Sequence, residues 1–346
     1  MRVAVINSGS SSLKFKLFDM PKGDVLCSAL VENVGVRGSK IKTHNEALMS
    51  LDIDFDSIDI IGHRVVHGGD IFSEPTLVDA EVVRKIDELT HLAPLHNPAN
   101  LEGIIVAKQK APNIKQVAVF DTAFHSEMPE VAYLYALPYE MYEKHKIRRY
   151  GFHGTSHSYL LKESAKILKK DVTKLNIITL HLGNGASACA IQNGISIDTS
   201  MGFTPLEGLV MGTRSGDIDP AIVLYMQKDL GFSVKKIDEI LNNKSGLLGI
   251  CESSDIREIL QIDDDKSRLA IDMMVRRVKK YIGGYMALLG RVDAIVFSGG
   301  IGENSAYIRD RIMDNNLAKD TSVLVIKTDE ELEIARQCLT FKTIDI

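Results

Sequence analysis

Residues 2–17 read RVAVINSGSSSLKFKL, and the way this stretch folds settles the fold class. Val3, Ala4, Val5 and Ile6 make an apolar run of strand length, so a first strand is expected over Arg2–Ile6. Asn7-Ser8-Gly9-Ser10 follows, four residues suited to a tight turn. Beyond it Leu13, Phe15 and Leu17 alternate with Lys14 and Lys16, as in a strand with one apolar and one solvated face. This is the pattern of a β-hairpin. Residues 177–191, IITLHLGNGASACAI, repeat it about half the chain later, with a turn at His181-Leu182-Gly183-Asn184-Gly185. Asn193-Gly194 is the dipeptide of a further hairpin turn, and residues 195–200, ISIDTS, continue the sheet. Two such units at this interval point to a duplicated domain.

Outward from the hairpins, helix and strand signals alternate. Asn97-Pro98 suits the N-cap and first turn of a helix to about Lys110. Gln116–Phe120 is a short buried strand ending at Asp121, and Thr155 or Ser156 can cap a helix over His157–Lys169. Ser233 opens a helix that ends before Gly246, and Arg268–Leu289 has a long helical period. Ala294–Phe297 reads as a strand running into Ser298-Gly299-Gly300-Ile301-Gly302, with a helix from about Asn304. Val323–Ile326 is a last strand before a helix from Asp329. Mixed sheets that open with a hairpin and carry helices outside predict an α/β fold in two related lobes, with the ligand between them.

A chain of 346 residues exceeds one compact core, which agrees with two domains. Its 41 Lys+Arg against 46 Asp+Glu argue against a nucleic-acid or membrane-surface binder, so an anionic substrate needs a local basic pocket. Cys27, Cys189, Cys251 and Cys338 form no CxxC pair and read as reduced thiols of a cytoplasmic protein. The opening MRVAVINSGSSS lacks the apolar core of a signal peptide, and no apolar stretch approaches the ~18 residues of a spanning helix.

The chemistry concentrates in a few motifs. Asn7–Ser12 gathers small hydroxyl residues at a strand end, where backbone N–H groups cradle phosphate; a solvated polar turn is the other reading. No GxxxxGK[ST] is present, so a nucleotide is not held by a Walker-A loop. His181–Gly185 repeats the turn, and Ser298–Asn304 places glycines at a strand-to-helix junction, where a helix N-terminus favours anions. Arg64, in GHRVVHGG, and Arg214, in MGTRSGD, lie in glycine-rich apolar surroundings, where a cation needs either a salt-bridge partner or a ligand. His63, His67, His91, His96, His125, His153, His157 and His181 cluster in the same segments. His153 and His157 have the i,i+4 spacing of a metal pair but lack the Glu of HExxH, so histidines bonded around an anion are preferred to a zinc site.

Together these segments resemble the acetate kinases, in the superfamily of sugar kinases, actin and heat-shock ATPases. The matching stretches, in family order, are NSGSSSLKF, GHRVVHGG, LAPLHNPANL, VFDTAFH, RRYGFHGTSH, HLGNGAS, DTSMGFTPLEGLVMGTRSGDIDP, GLLGICESSDIRE, FSGGIGENS and TDEELEIAR. The resemblance implies two lobes of duplicated ribonuclease H-like (actin-like ATPase) fold with a central cleft. The first would hold 1–123 plus 331–346 and the second 124–330, the latter binding nucleotide and making homodimer contacts. It implies a cytoplasmic enzyme that moves a phosphoryl group between ATP and acetate, giving acetyl phosphate and ADP, with Mg²⁺ or alternatively Mn²⁺. Carried over by residue, Asp121, His153, Arg214 and Arg64 would be catalytic, with Arg64, Val66, Leu95, Phe152 and Pro205 around the acyl group and His96 in support. Asn7 and Glu330 would serve the metal. Lys14, His181, Leu182, Gly183, Asn184, Gly185, Asp255, Ile256, Arg257, Gly300, Ile301, Gly302, Glu303 and Asn304 would bind the nucleotide. The chain is shorter than usual members, with abbreviated stretches at 29–57 and between Ser305 and Val323, and a short tail.

Acetate arrives ionised at neutral pH, so no general base is needed. The difficulty is two anions meeting, which calls for cations and fixed dipoles around an in-line transfer. Asp121 then orients an arginine or the metal, and direct transfer is preferred to a phosphorylated carboxylate. Rival readings are a propionate or butyrate kinase, a non-catalytic nucleotide switch and a zinc-dependent hydrolase.

Overall fold

The computed structural model describes residues 1–9, 11–36, 38–94, 96–314, 318–319 and 321–341. Ser10 of the first turn and Leu95 of the acyl set lie outside the described residues. The chain forms two compact units: Met1–Ser126 with Gly154–Tyr159 and Asp329–Ile346, and Glu127–His153 with Leu160–Thr328.

The first unit is built on a sheet of β1 (Arg2–Ser8), β2 (Ser12–Asp19), β3 (Asp24–Glu32), β4 (Ile60–Val65), β5 (Thr76–Leu77) and β6 (Lys115–Phe120), in the order β3-β2-β1-β4-β6-β5. β1 to β3 form an antiparallel meander, and β1, β4 and β6 run parallel. β1 runs two residues further than expected, to Ser8, and β3 is a strand that the sequence pattern did not announce, because most of it is exposed on both faces. Alternation sorts the residues between the faces. Val3, Val5, Val117 and Val119 pack under Ile334, Ala335 and Cys338 of the helix Glu330–Cys338. Ala4, Ile6 and Ile61 face Val106 and Ala107 of the helix Asn97–Lys110. Asn97 is not the N-cap of that helix; His96 is, and the buried Asn97 amide bonds the backbone of His67. Nor is the Lys14/Lys16 face left to solvent: Lys14 bonds Glu331 and Lys16 bonds Asp329, both on or beside that last helix.

The second unit repeats the plan. Its strands are β7 (Asn176–Leu182), β8 (Ala186–Gln192), β9 (Ile195–Thr199), β10 (Ala294–Ser298) and β11 (Ser322–Val325), in the order β11-β10-β7-β8-β9. An antiparallel meander again precedes two strands added in parallel, so the duplicated ribonuclease H-like fold stands. Asn193 and Gly194 both adopt positive φ, as their hairpin turn requires. Three boundaries differ from the sequence reading. The helix Gly154–Leu168 starts behind His153 in left-handed conformation, because the Thr155 hydroxyl is taken by Asp121 and does not cap. The long helix starts at Asp265, capped by Asp264, whose carboxylate accepts from Ser267 N. Gly299–Asn304 is itself a helix rather than a loop before one, since Glu303 reaches back to accept from Gly299 N. Cys189, Cys251 and Cys338 are buried and Cys27 is exposed on β3. No helix among the described residues is long and apolar enough to cross a membrane.

Candidate active site

In the first unit the polar residues gather at the ends of β1, β4 and β6. Asn7, Arg64 and Asp121 continue the face that carries Val5 and Val119, which lies under the last helix. Gly62 lets that helix come close: a Cβ there would stand 2.7 Å from Ile334 Cγ2 and Cys338 Sγ. The Arg64 guanidinium donates to Asp121 Oδ2 from Nη2 and from Nε at 3.0 Å, and from Nη1 to Asn7 Oδ1 at 3.4 Å. Its Nε lies 3.7 Å from Glu330 Oε2. Asp121 Oδ1 accepts from Thr155 Oγ1 at 2.8 Å, so both oxygens of this buried carboxylate are engaged. Burial works against the Arg64 charge, but Asp121 and Glu330 raise its pKa above the ordinary value. Glu331 Oε1 accepts from Asn7 Nδ2 at 3.3 Å and its Oε2 from Lys14 Nζ at 2.7 Å. Burial pushes the neighbouring Glu330 carboxyl up to about 7, with Asp121 and Glu331 adding to the rise against Arg64 and Lys14.

In the second unit His153, His181 and Arg214 come together. His181 on β7 pairs in register with Ser187 on β8. The His153 ring stacks on the His181 ring at 4.3 Å, and its Nδ1 lies 2.9 Å from Ser187 Oγ. A Cβ on Gly185 would sit 3.6 Å from His153 Nε2 and 3.7 Å from Arg214 Nη1, so both side chains reach the same glycine turn. Arg214 differs from Arg64 in one respect. Its Nη1 donates to Pro205 O at 3.2 Å and touches Met211 Sδ at 4.0 Å, and no carboxylate among the described residues lies within ion-pair distance. Burial lowers its pKa with no anion to compensate.

The same unit holds a cavity of about 790 Å³, within the range of small-molecule and cofactor sites. Gly183 and Asn184 line one side, Ser254–Arg257 and Leu260 another, and Gly300, Ile301, Asn304 and Ser305 a third. Asp255, Ile256 and Arg257 of the expected nucleotide set are thus brought beside Gly183, Asn184, Gly300, Ile301 and Asn304. Gly302 and Glu303 are not in the lining; Glu303 Oε1 accepts instead from Gly299 N, Thr328 N and Ser298 Oγ. Leu182 is buried in the core, and Lys14 belongs to the first unit.

The acyl set is divided, Val66 in the first unit and Phe152 and Pro205 in the second. β4 ends at Val65, so strand alternation no longer decides where Val66 points; its N–H donates to Asn100 Oδ1. His153 precedes its helix; its ring stacks on His181, while the His157 ring packs edge-on against His125 at 5.7 Å. Among the described residues no three His, Cys, Asp or Glu side chains gather as a metal cage. Sequence reasoning missed Leu260 and Ser305 in the cavity, and Thr155, Ser187 and Glu331 as partners of Asp121, His153 and Asn7.

The model of the acetokinase family matches residues 2–53 and 45–340. The chain belongs to that family. The two matched spans overlap at 45–53, inside the stretch 29–57 that the sequence reading takes as abbreviated. Among similar acetokinases, the acetate kinase of Sulfurimonas denitrificans is 55% identical, over 97% of this chain and 98% of the relative. The crystal structure of Porphyromonas gingivalis acetate kinase superposes with a TM-score of 0.92 at 41% identity, covering 99% of this chain and 100% of that one. That of a propionate kinase from Francisella tularensis gives 0.91 at 43%, covering 97% and 98%.

Proposed function

We propose that the chain transfers a phosphoryl group reversibly between ATP and acetate, giving acetyl phosphate and ADP. Arg214 carries this assignment. It is a partly buried guanidinium without a carboxylate among the described residues, beside His153 and in the unit that holds the nucleotide-sized cavity. A cation left in that state asks for an anionic ligand.

Acetate is already ionised, so its oxygen attacks the γ-phosphorus directly while the bond to the β–γ bridging oxygen breaks and ADP leaves. Arg64, Arg214 and His153 offset the negative charge of the two reactants in transfer. Asp121, engaged by Arg64 and Thr155, is an orienting carboxylate and neither a base nor a phosphoryl acceptor. The cavity lined by Asn184, Asp255–Arg257, Gly300, Ile301 and Asn304 takes the adenosine, and the turn His181–Gly185, which reaches it through Gly183 and Asn184, would face the phosphates. The second unit, which holds the cavity, acts as the nucleotide lobe, and the first unit contributes Asn7, Arg64, Asp121 and Glu330.

Magnesium, or manganese in its place, suits the first unit. A carboxyl at about 7 crowded by Asp121 and Glu331 is one that a divalent cation would ionise, so Glu330 would hold the ion with Asn7. Magnesium takes one or two carboxylates and completes its shell with water and phosphate, so no protein cage is needed. Bound there, it supplies positive charge to the phosphates.

The propionate kinase relative keeps a longer acid in view as acceptor. Acetate is the preferred acceptor if Val66 bounds the space for its methyl group, where a valine would take the room of a further carbon. The protein is taken as cytoplasmic, and a homodimer through the second unit is supported by the helix Pro220–Lys228, none of whose residues is buried and which exposes Ile222, Leu224 and Tyr225. The deciding experiment is a coupled assay of ADP release with acetate, propionate and butyrate. No turnover with any of the three would overturn the proposal.

A further inference from the structure

We infer that Tyr135, Arg149 and Glu207 form a clasp that positions Arg214 and His153 for the transfer, an inference that rests on the roles proposed above for those two groups. None of the three touches the reacting atoms; each acts through another residue.

Arg149 lies four residues before His153. Its Nη1 donates to three successive carbonyl oxygens, Thr199 at 2.8 Å, Ser200 at 3.3 Å and Met201 at 3.1 Å. Its Nη2 donates to Glu207 Oε1 at 2.6 Å. The other Glu207 oxygen accepts from the Tyr135 hydroxyl, which in turn accepts from Phe203 N at 2.9 Å. Backbone bonds reinforce the arrangement: Tyr150 N and Gly151 N both donate to Gly202 O, at 3.0 and 3.2 Å. The segment leading to His153 and the segment 199–207 are therefore held as one piece.

The clasp also reaches Arg214, whose Nη1 donates to the carbonyl of Pro205, two residues before Glu207. On the far side of Glu207, Gly208 N donates to Asp217 Oδ1 at 2.8 Å, and Gly208 O accepts from Arg277 Nη1 at 2.7 Å. Tyr281 OH donates to Asp217 Oδ2 at 2.9 Å. Pro205, the anchor of Arg214, thus sits in a loop pinned at Glu207 and again at Asp217. Gly202 shows how closely the clasp is fitted. A Cβ there would lie 1.7 Å from Glu207 Oε2 and 2.2 Å from the Tyr135 oxygen, so the space is given to the bonded groups.

Stability alone does not call for charges here. A shielded ion pair contributes little beyond what apolar residues of equal volume would, because its desolvation offsets its attraction. What a guanidinium adds is a rigid fork that fixes several acceptors in one plane. At this place the fixed objects are the chain before His153 and the loop that carries the anchor of Arg214.

The test is a double-mutant cycle on the full chain, with ATP, magnesium and acetate as substrates. Tyr135→Phe keeps the ring and the Arg149–Glu207 pair and removes one hydroxyl, so it should fold where Glu207→Gln, which leaves Arg149 uncompensated, need not. We expect Tyr135→Phe to lower kcat roughly tenfold, as a small misplacement of a reacting group does. The KM for ATP should stay within about twofold, because the cavity residues are untouched, a split that a general loss of structure would not give. In an Arg214→Ala background the same substitution should cost less than about twofold, since much of what it positions is gone. Equal costs in the two backgrounds, or an unchanged kcat, would overturn the clasp and leave Arg214 in place. Full turnover by Arg214→Ala alone would overturn the assignment beneath it.

Discussion

His153 Nδ1 lies 2.9 Å from the hydroxyl of Ser187, with the His153 ring stacked on His181, the β7 residue that pairs with Ser187. The contact holds the ring through Nδ1, and Nε2 lies on the side of Gly185, 3.6 Å from where a Cβ on that glycine would stand. Ser187→Ala should lower kcat by about three- to tenfold while ATP binding and folding persist, as loss of an orienting bond to a working imidazole does. An unchanged kcat would mean that the stack on His181 suffices to hold the ring.

Arg64 and Arg214 should respond differently to the same substitution. Each is expected to lose on the order of 10²–10³ in rate on replacement by alanine, as when a contact to transition-state charge is removed. Their stabilities should diverge. Arg64→Ala leaves the buried Asp121 carboxylate with Thr155 but without its cation, at a cost of roughly 3–5 kcal/mol. Arg214→Ala removes a cation that has no carboxylate partner among the described residues, and the fold should lose little. Urea denaturation of both variants decides the matter: equal losses would contradict the difference in partners.

Much of this arrangement was legible because alternation is a strong signal where one side of a strand is covered. Leu13, Phe15 and Leu17 gave the first hairpin and residues 177–191 its repeat. β3 was not legible, because a mostly exposed strand carries no periodic burial. Nor was the helix Gly299–Asn304, half of it glycine, which depends on Glu303 closing back on its first N–H. Asn97 looked like a cap and serves the His67 backbone instead, a bond that no local pattern contains. The partners of the site were hidden for the same reason: Thr155 reaches Asp121, and Ser187 reaches His153, each across 34 residues.

Glu330→Ala should raise the magnesium concentration needed for half-maximal rate several-fold more than it alters folding. The carboxyl stands at about 7 because burial, Asp121 and Glu331 disfavour its charge, and a bound divalent cation reverses that preference. The alanine variant would leave the magnesium shell with one protein oxygen fewer. A magnesium titration that superposes on the wild type would return Glu330 to a structural role in the first turn of its helix.

His63 makes stability depend on pH. Its Nε2 donates to Gln116 Oε1 at 2.8 Å inside the first unit, and burial pushes the imidazole down to about 4 from 6.5. The unfolded chain takes up a proton near 6.5 and the folded chain holds off until about 4. The folded state therefore binds fewer protons in that window, and stability falls as pH falls through it, by on the order of 3 kcal/mol in full. At pH 5 the wild type should have lost roughly 2 kcal/mol more, relative to pH 7, than His63→Gln. Parallel pH responses of the two proteins would remove His63 as the cause.

Acceptor length provides the remaining test. Val66 is buried directly after β4, two residues beyond Arg64, and its backbone is held by Asn100. If it bounds the space for the substrate methyl group, a valine there fills volume that alanine would leave for one more carbon. A methylene in an apolar pocket is worth about 1–3 kcal/mol, so propionate should react with the wild type, but less well than acetate. Val66→Ala should move the ratio of kcat/KM values toward propionate by up to roughly tenfold without abolishing acetate turnover. The Asn100 bond is to the backbone, so the substitution should leave the local fold in place. A wild type that already prefers propionate would place this chain with the Francisella tularensis relative in its acceptor. An unmoved ratio in the variant would take Val66 out of the acyl pocket.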